Sequence, residues 1–176
     1  ERKTFFLILP KPIKIEAIII GKCLGLTATT AVVTAVSTIA LFIILFFKGG
    51  NLFFVPIIVS VFLSLIESSL IILLSILFSS ITSPILSAVY TIGFFLIGHS
   101  AEIYRSFMFQ MVPSLKLYVL QGAYYFLPNL EKFNIRNDVI YEKIPSFYVI
   151  FLTIIYALCV AVVLFLLTKI NFKKKE

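Results

Sequence analysis

The chain has 176 residues, of which 61% are hydrophobic and 13% are charged, and its mean hydropathy is +1.12. A soluble domain carries about 45–50% apolar and about 25% charged residues, so this chain has too little polar surface to cover itself in water. The composition excludes a soluble domain, a disordered chain and a disulfide scaffold. Because the apolar runs lack the period-two alternation of barrel strands, we predict an all-α integral membrane protein.

The net charge of +7 comes largely from basic residues near the two ends. Five lie in the first 22 residues and four in the last eight: Arg2, Lys3, Lys11, Lys14, Lys22, Lys169, Lys173, Lys174 and Lys175. Basic residues beside apolar runs are typical of the cytoplasmic face of a membrane protein. The charge therefore favours contact with membrane lipids and no nucleic-acid partner.

Four apolar runs are candidates for membrane-spanning helices, since about 20 apolar residues cross about 30 Å of hydrocarbon. They cover residues 23–47, 52–78, 85–101 and 147–168. The segment 1–22 and the basic tail 169–176 are both expected in the cytoplasm, and two cytoplasmic ends require an even number of spans. We therefore predict four transmembrane helices.

The stretch between the third and fourth runs, residues 102–146, is the ambiguous part of the topology. Its apolar portion is interrupted by Gln110, Pro113, Lys116 and Gln121, and its charges nearly balance. Such a segment has no preferred side of the membrane, so we predict an external loop that contains a re-entrant or interfacial helix.

No pattern of side chains in the sequence indicates catalysis or metal binding. The chain lacks a G-x-x-x-x-G-K-[ST] phosphate loop, and it contains one histidine, His99, and one aspartate, Asp138. Cys23 and Cys159 are expected to be small buried hydrophobes. We expect no enzyme activity, no metal and no cofactor in this chain, and we interpret His99 as an interfacial polar residue near the outer end of its span.

The opening segment combines charges, prolines and apolar residues in an unusual order. It is either an interfacial helix that anchors the first span or a cytoplasmic elbow that docks on a soluble partner. The order resembles the coupling helix of permease subunits in type-2 ABC transporters, which reads roughly E-x-x-T-x-x-x-L-L-x-x-P-x-x-R-x-E-x-x-x-G-K. The matching residues are Glu1, Thr4, Pro12, Glu16, Gly21 and Lys22, with Lys11 and Lys14 basic near the family's arginine.

A second motif, Leu127-Pro128-Asn129-Leu130, precedes the last run. Pro128 is expected to end a helix, and Asn129 to bond its own backbone in a turn. An L-P-N-L-x-x-F-N stretch is similar to the loop before the last span in one branch of these permeases, which includes proteins associated with multicopper-enzyme maturation.

The resemblance implies a six-span permease fold in which the four runs are the third to sixth spans. The first two spans would be missing from this sequence or supplied by another polypeptide. ATP and magnesium would be bound by a separate ABC ATP-binding subunit that docks on Thr4, Pro12, Lys14, Glu16, Gly21 and Lys22. A second permease copy would complete a dimer in the cell (inner or plasma) membrane, and the family tendency is export.

A polar stripe in the second run is the remaining candidate site. Ser60, Ser64, Glu67 and Ser68 fall near one helical face. A carboxyl group in hydrocarbon is costly, so Glu67 is expected to face protein or water. The stripe either lines a transport pathway or lets helices pack closely. Two other functions stay open: a non-transporting membrane scaffold, and a secondary transporter with Glu67 as its proton site.

Overall fold

The computed structural model describes residues 15–49, 53–100, 129–135 and 146–173. Within them lie helices α1 (Ile15–Phe47), α2 (Phe54–Ile81), α3 (Pro84–His99) and α4 (Phe147–Lys173), with a short 3₁₀ helix at Leu130–Phe133 between α3 and α4. The predicted all-helical class is confirmed for this part of the chain. By length and apolar character α1, α2 and α4 could each cross a membrane. Helix α3 has 16 residues and extends only about 24 Å, so four spans stay a prediction.

Helix α1 begins earlier than the predicted first span. It runs without interruption for 33 residues through Gly21 and Lys22, which corresponds to a length of about 50 Å. The expected boundary between residues 1–22 and the first span therefore lies inside one helix. The helix ends at Phe47, and Gly49 in the turn that follows has a positive φ of 75°, as suits a glycine just beyond a helix.

Helix α1 runs antiparallel to both α2 and α4, so α2 and α4 are parallel to each other. Phe42 near the end of α1 contacts Phe54 at the beginning of α2, with ring centroids 4.9 Å apart. At the opposite end, Lys169 Nζ of α4 lies 2.5 Å from Glu16 Oε1 of α1. The beginning of α1 and the end of α4 therefore share one end of the bundle, which we call the basic end because Lys22, Lys169 and Lys173 lie toward it.

Helix α2 is the centre of the bundle and packs against each of the other helices. Its buried residues recur three or four positions apart, as expected for one packed face of a helix. They form two clusters with residues of α4 and of the 129–135 segment. The first contains Leu63, Leu70, Phe133, Ile135 and Ala157, and the second contains Leu73, Leu74, Leu77 and Leu164.

Helices α2 and α3 form a hairpin at the basic end. Pro84 occupies the first position of α3, where its missing N–H is not needed and its fixed φ favours the helix. Ser87 Oγ donates a hydrogen bond across the hairpin to the Ser75 carbonyl at 3.2 Å, and the Phe78 ring contacts Phe94 at 5.3 Å. Because α3 is about half as long as α2, it ends beside the middle of α2.

The hydroxyl groups of α1 are bonded within the helix itself. Each donates to a backbone carbonyl three or four residues earlier, which satisfies a polar group that faces apolar surroundings. The donors are Thr27, Thr29, Thr30, Thr34, Ser37 and Thr38.

Candidate functional site

Glu67 lies halfway along α2 and is buried, with 6% of its surface exposed. It occupies the packed face of α2 between Leu63 and Leu70, so its carboxylate points into the bundle. The predicted serines flank it: Ser60, Ser64 and Ser68 are half-buried, and Ser68 Oγ donates to the Ser64 carbonyl at 2.8 Å. The structure therefore brings the acid of the stripe to the interior and leaves the serines beside it.

His99 is the direct partner of Glu67. It is the last residue of α3, and its Nε2 lies 3.0 Å from Glu67 Oε1. Its ring also packs edge-on against Phe95, with centroids 4.5 Å apart. The interfacial position expected for His99 stays a prediction, and the structure adds a contact with Glu67 near the middle of α2.

Glu131 supplies a second carboxylate to His99. Its Oε2 lies 3.6 Å from His99 Nδ1, and its Oε1 accepts a hydrogen bond from Asn134 Nδ2 at 3.1 Å. Asn129 Oδ1 accepts from the Glu131 backbone N–H at 3.1 Å. This bond confirms the turn predicted for Asn129.

The 129–135 segment is fixed to the bundle by apolar contacts and by α4. Leu130 and Phe133 are buried, and Phe133 has no exposed surface. The Asn129 backbone N–H donates to the Tyr156 hydroxyl of α4 at 2.8 Å. Lys132 Nζ lies 4.5 Å from the centre of the Tyr156 ring, where a cation is attracted to the aromatic face. These contacts hold Glu131 beside His99.

The three ionisable groups form what we call the central cluster: Glu67, His99 and Glu131. His99 Nδ1 is buried and has no hydrogen-bond partner in the described part of the chain. The 3.6 Å to Glu131 is too long for a hydrogen bond but short enough for an ion pair. The cluster joins α2, α3 and the 129–135 segment at one point.

The described residues offer no metal site, since no group of three or more His, Cys, Asp or Glu side chains among them could hold an ion. Of the predicted docking residues, Glu16, Gly21 and Lys22 lie in the first turns of α1, toward the basic end. Thr4, Pro12 and Lys14 lie outside the described residues, as do Leu127 and Pro128 of the loop motif.

Comparison with protein-family models, with curated proteins and with solved structures found no match to this chain. The resemblance to ABC permeases therefore rests on the two motifs alone. The geometry of the central cluster is independent of that resemblance.

His99 and Glu131 were not among the site residues expected from the sequence, although a signal for His99 was present. Glu67 precedes Ser83 by sixteen residues, and His99 follows it by sixteen. A helical hairpin folded at Ser83 brings these two residues to the same level, because each residue of either helix advances about 1.5 Å. No comparable count finds Glu131, which reaches the cluster through a tertiary contact.

The hydroxyl of Tyr156 can be tested by removing a single oxygen atom. We expect Tyr156→Phe to lower the free energy of unfolding by about 1 kcal/mol, because the buried Asn129 N–H loses its acceptor. The measurement is helical circular dichroism during SDS titration of the detergent-solubilised chain. Tyr148→Phe is the matched control on the same helix, since Tyr148 is 67% exposed. Equal midpoints for both variants would contradict the assigned bond.

Proposed function

We propose that this chain is a transmembrane permease subunit of an ATP-driven transporter of the type-2 ABC class. The observation that supports this proposal is the continuity of α1, which carries Glu16 in its first turn and extends unbroken to Phe47. A push applied to the beginning of such a helix is transmitted into the membrane without a hinge. That is the mechanical property that a coupling segment requires.

The surroundings of Glu16 also suit a docking surface. Its carboxylate pairs with Lys169, and both side chains are partly exposed, so a soluble partner can reach them. Because exposed ion pairs contribute only about 0–1 kcal/mol, a partner could replace this contact at little cost. In the proposed arrangement the basic end faces the cytoplasm, in accord with the positive-inside bias.

The proposed mechanism divides the work between subunits. A separate ATP-binding subunit holds ATP and magnesium, and its closure pushes on the beginning of α1. The helices of this chain and of a second copy then move between inward-open and outward-open states. The direction we propose is export.

Reversing the charge of Glu16 tests whether this residue contacts the ATPase or acts only through its ion pair with Lys169. Tagged full-length chain is isolated from its native cells in mild detergent, and bound proteins are identified by mass spectrometry. We expect the unaltered chain to retain a stoichiometric phosphate-loop ATPase. Glu16→Lys is expected to reduce the retained ATPase at least about tenfold, which corresponds to a loss of about 1.4 kcal/mol in binding.

The matched variant is the double exchange Glu16→Lys/Lys169→Glu, which restores the internal ion pair with its charges reversed. If Glu16 contacts the ATPase, the double exchange stays defective. Recovery of ATPase binding by the double exchange would show that Glu16 acts only through Lys169, and the docking surface would be wrong. An unaltered chain that retains no ATPase would move the assignment to a membrane scaffold.

A further inference from the structure

The central cluster plays no part in the proposed docking of an ATPase and has a chemistry of its own. Two carboxylates approach the two nitrogens of one imidazole ring: Glu67 at 3.0 Å from Nε2, and Glu131 at 3.6 Å from Nδ1. The groups come from α2, α3 and the 129–135 segment. Two carboxylates that flank one imidazole ring in a bundle expected to cross a membrane favour a proton on the cluster.

Whether Glu67 and Glu131 can both accept a hydrogen bond from His99 depends on how many hydrogens the imidazole ring carries. A neutral imidazole has one N–H and one lone pair, whereas an imidazolium donates from both nitrogens. If both carboxylates are ionised and the ring is neutral, a lone pair faces a carboxylate oxygen on one side. One added proton removes this conflict, whether it resides on the ring or on a carboxyl. Groups coupled in this way bind the proton as a unit.

We propose that Glu67, His99 and Glu131 together form a site that binds one proton within the membrane-spanning bundle. The bound proton resides on His99 Nδ1, the buried nitrogen that lacks a hydrogen-bond partner among the described residues. With that hydrogen in place, Glu131 becomes an acceptor, and the 129–135 segment is drawn toward the end of α3. When the proton leaves, this attraction is lost while the hydrogen bond between Nε2 and Glu67 persists.

The three side chains differ in exposure, and this difference indicates the side from which a proton reaches the site. The side chains of His99 and Glu131 are partly exposed, whereas that of Glu67 is buried. A proton therefore enters from the side of Glu131 and His99, and Glu67 is the inner counter-charge. Among the described residues, the ionisable groups near the cluster include Lys132 on the same turn and Tyr156 on α4, and Lys132 Nζ lies over the Tyr156 ring.

The chain offers a direct probe, because His99 is its only histidine. Full-length chain labelled with ¹⁵N-histidine is reconstituted in lipid bilayers, and solid-state NMR at neutral pH reports how many ring nitrogens carry hydrogen. Infrared spectroscopy of the same sample detects a protonated carboxyl. We expect hydrogen on both ring nitrogens. One N–H together with a protonated carboxyl assigned to Glu67 or Glu131 would overturn the placement of the proton on Nδ1. A neutral ring with both carboxylates ionised would overturn the site itself.

Two variants test whether the proton is shared. We expect each of Glu67→Gln and Glu131→Gln to leave the ring with a single N–H, because each removes one of the flanking negative charges. In Glu131→Gln the remaining hydrogen is expected on Nε2, facing Glu67, and in Glu67→Gln on Nδ1, facing Glu131. Glu16→Gln is the matched control, since that carboxylate lies at the basic end, and its spectrum should equal that of the unaltered chain. If Glu67→Gln fails to fold, Glu131→Gln alone decides the question. Unchanged ring signals in the folded variants would contradict the proposal. No ATPase is present in these samples, so the result is independent of the docking proposal.

Discussion

Replacing Phe133 by alanine is expected to lower the free energy of unfolding by about 3–5 kcal/mol, the usual range for truncating a buried aromatic side chain. Phe133 has no exposed surface and packs with Leu63 and Leu70 of α2 and Ala157 of α4. Its loss leaves a cavity where the 129–135 segment meets two long helices. The measurement is SDS titration of the solubilised chain, followed by circular dichroism.

Phe147→Ala provides the matched control for this prediction. Phe147 begins α4 and is 82% exposed, so its removal changes no packed contact and should leave the unfolding midpoint nearly unchanged. A Phe133→Ala variant as stable as this control would show that the 129–135 segment does not pack against the bundle in the folded protein.

His99→Leu is expected to destabilise the chain by about 3 kcal/mol, because the Glu67 carboxylate then lies buried without its imidazole partner. The double variant Glu67→Leu/His99→Leu replaces both members of the pair with apolar groups. A buried pair exchanged in this way is often neutral or stabilising, so the double variant should recover most of the lost stability. SDS titration of the two variants measures both effects.

The double variant also separates stability from function. If the cluster serves only to hold α2 and α3 together, the recovered double variant should retain whatever transport activity the unaltered chain shows. If the cluster works as a proton site, the double variant folds and loses every proton-dependent part of that activity. A double variant no more stable than His99→Leu would mean that the energetic account of the pair is wrong.

The helices and the burial of Glu67 could be predicted from the sequence because they depend on local pattern. Long apolar runs broken at Gly49 and at Ser83-Pro84 mark α1, α2 and the hairpin, and an acid within an apolar run must face protein or water. The turn at Asn129 was equally local, since an asparagine that precedes a short turn commonly bonds its own backbone.

What the sequence did not reveal depends on lengths and on tertiary contacts. A helix through Gly21 could be expected from the sequence, but its union with the first span in one helix could not, because no local signal distinguishes a glycine within a helix from one that ends it. The place of His99 depends on α3 ending halfway along α2, so its end could not be located from hydropathy alone. Glu131 lies in a polar stretch whose burial comes from Leu130 and Phe133, two apolar residues too few to form a recognisable run.

The internally bonded hydroxyls of α1 have a consequence for how that helix can move. None of the six hydroxyl bonds described for α1 ties it to a neighbouring helix, so these bonds survive any change in its position. Rotation or tilting of α1 would therefore mainly exchange one set of apolar contacts for another, and lipid tails can fill the spaces that it leaves. The helix is held to its neighbours by apolar contacts and by the Glu16–Lys169 ion pair at its beginning.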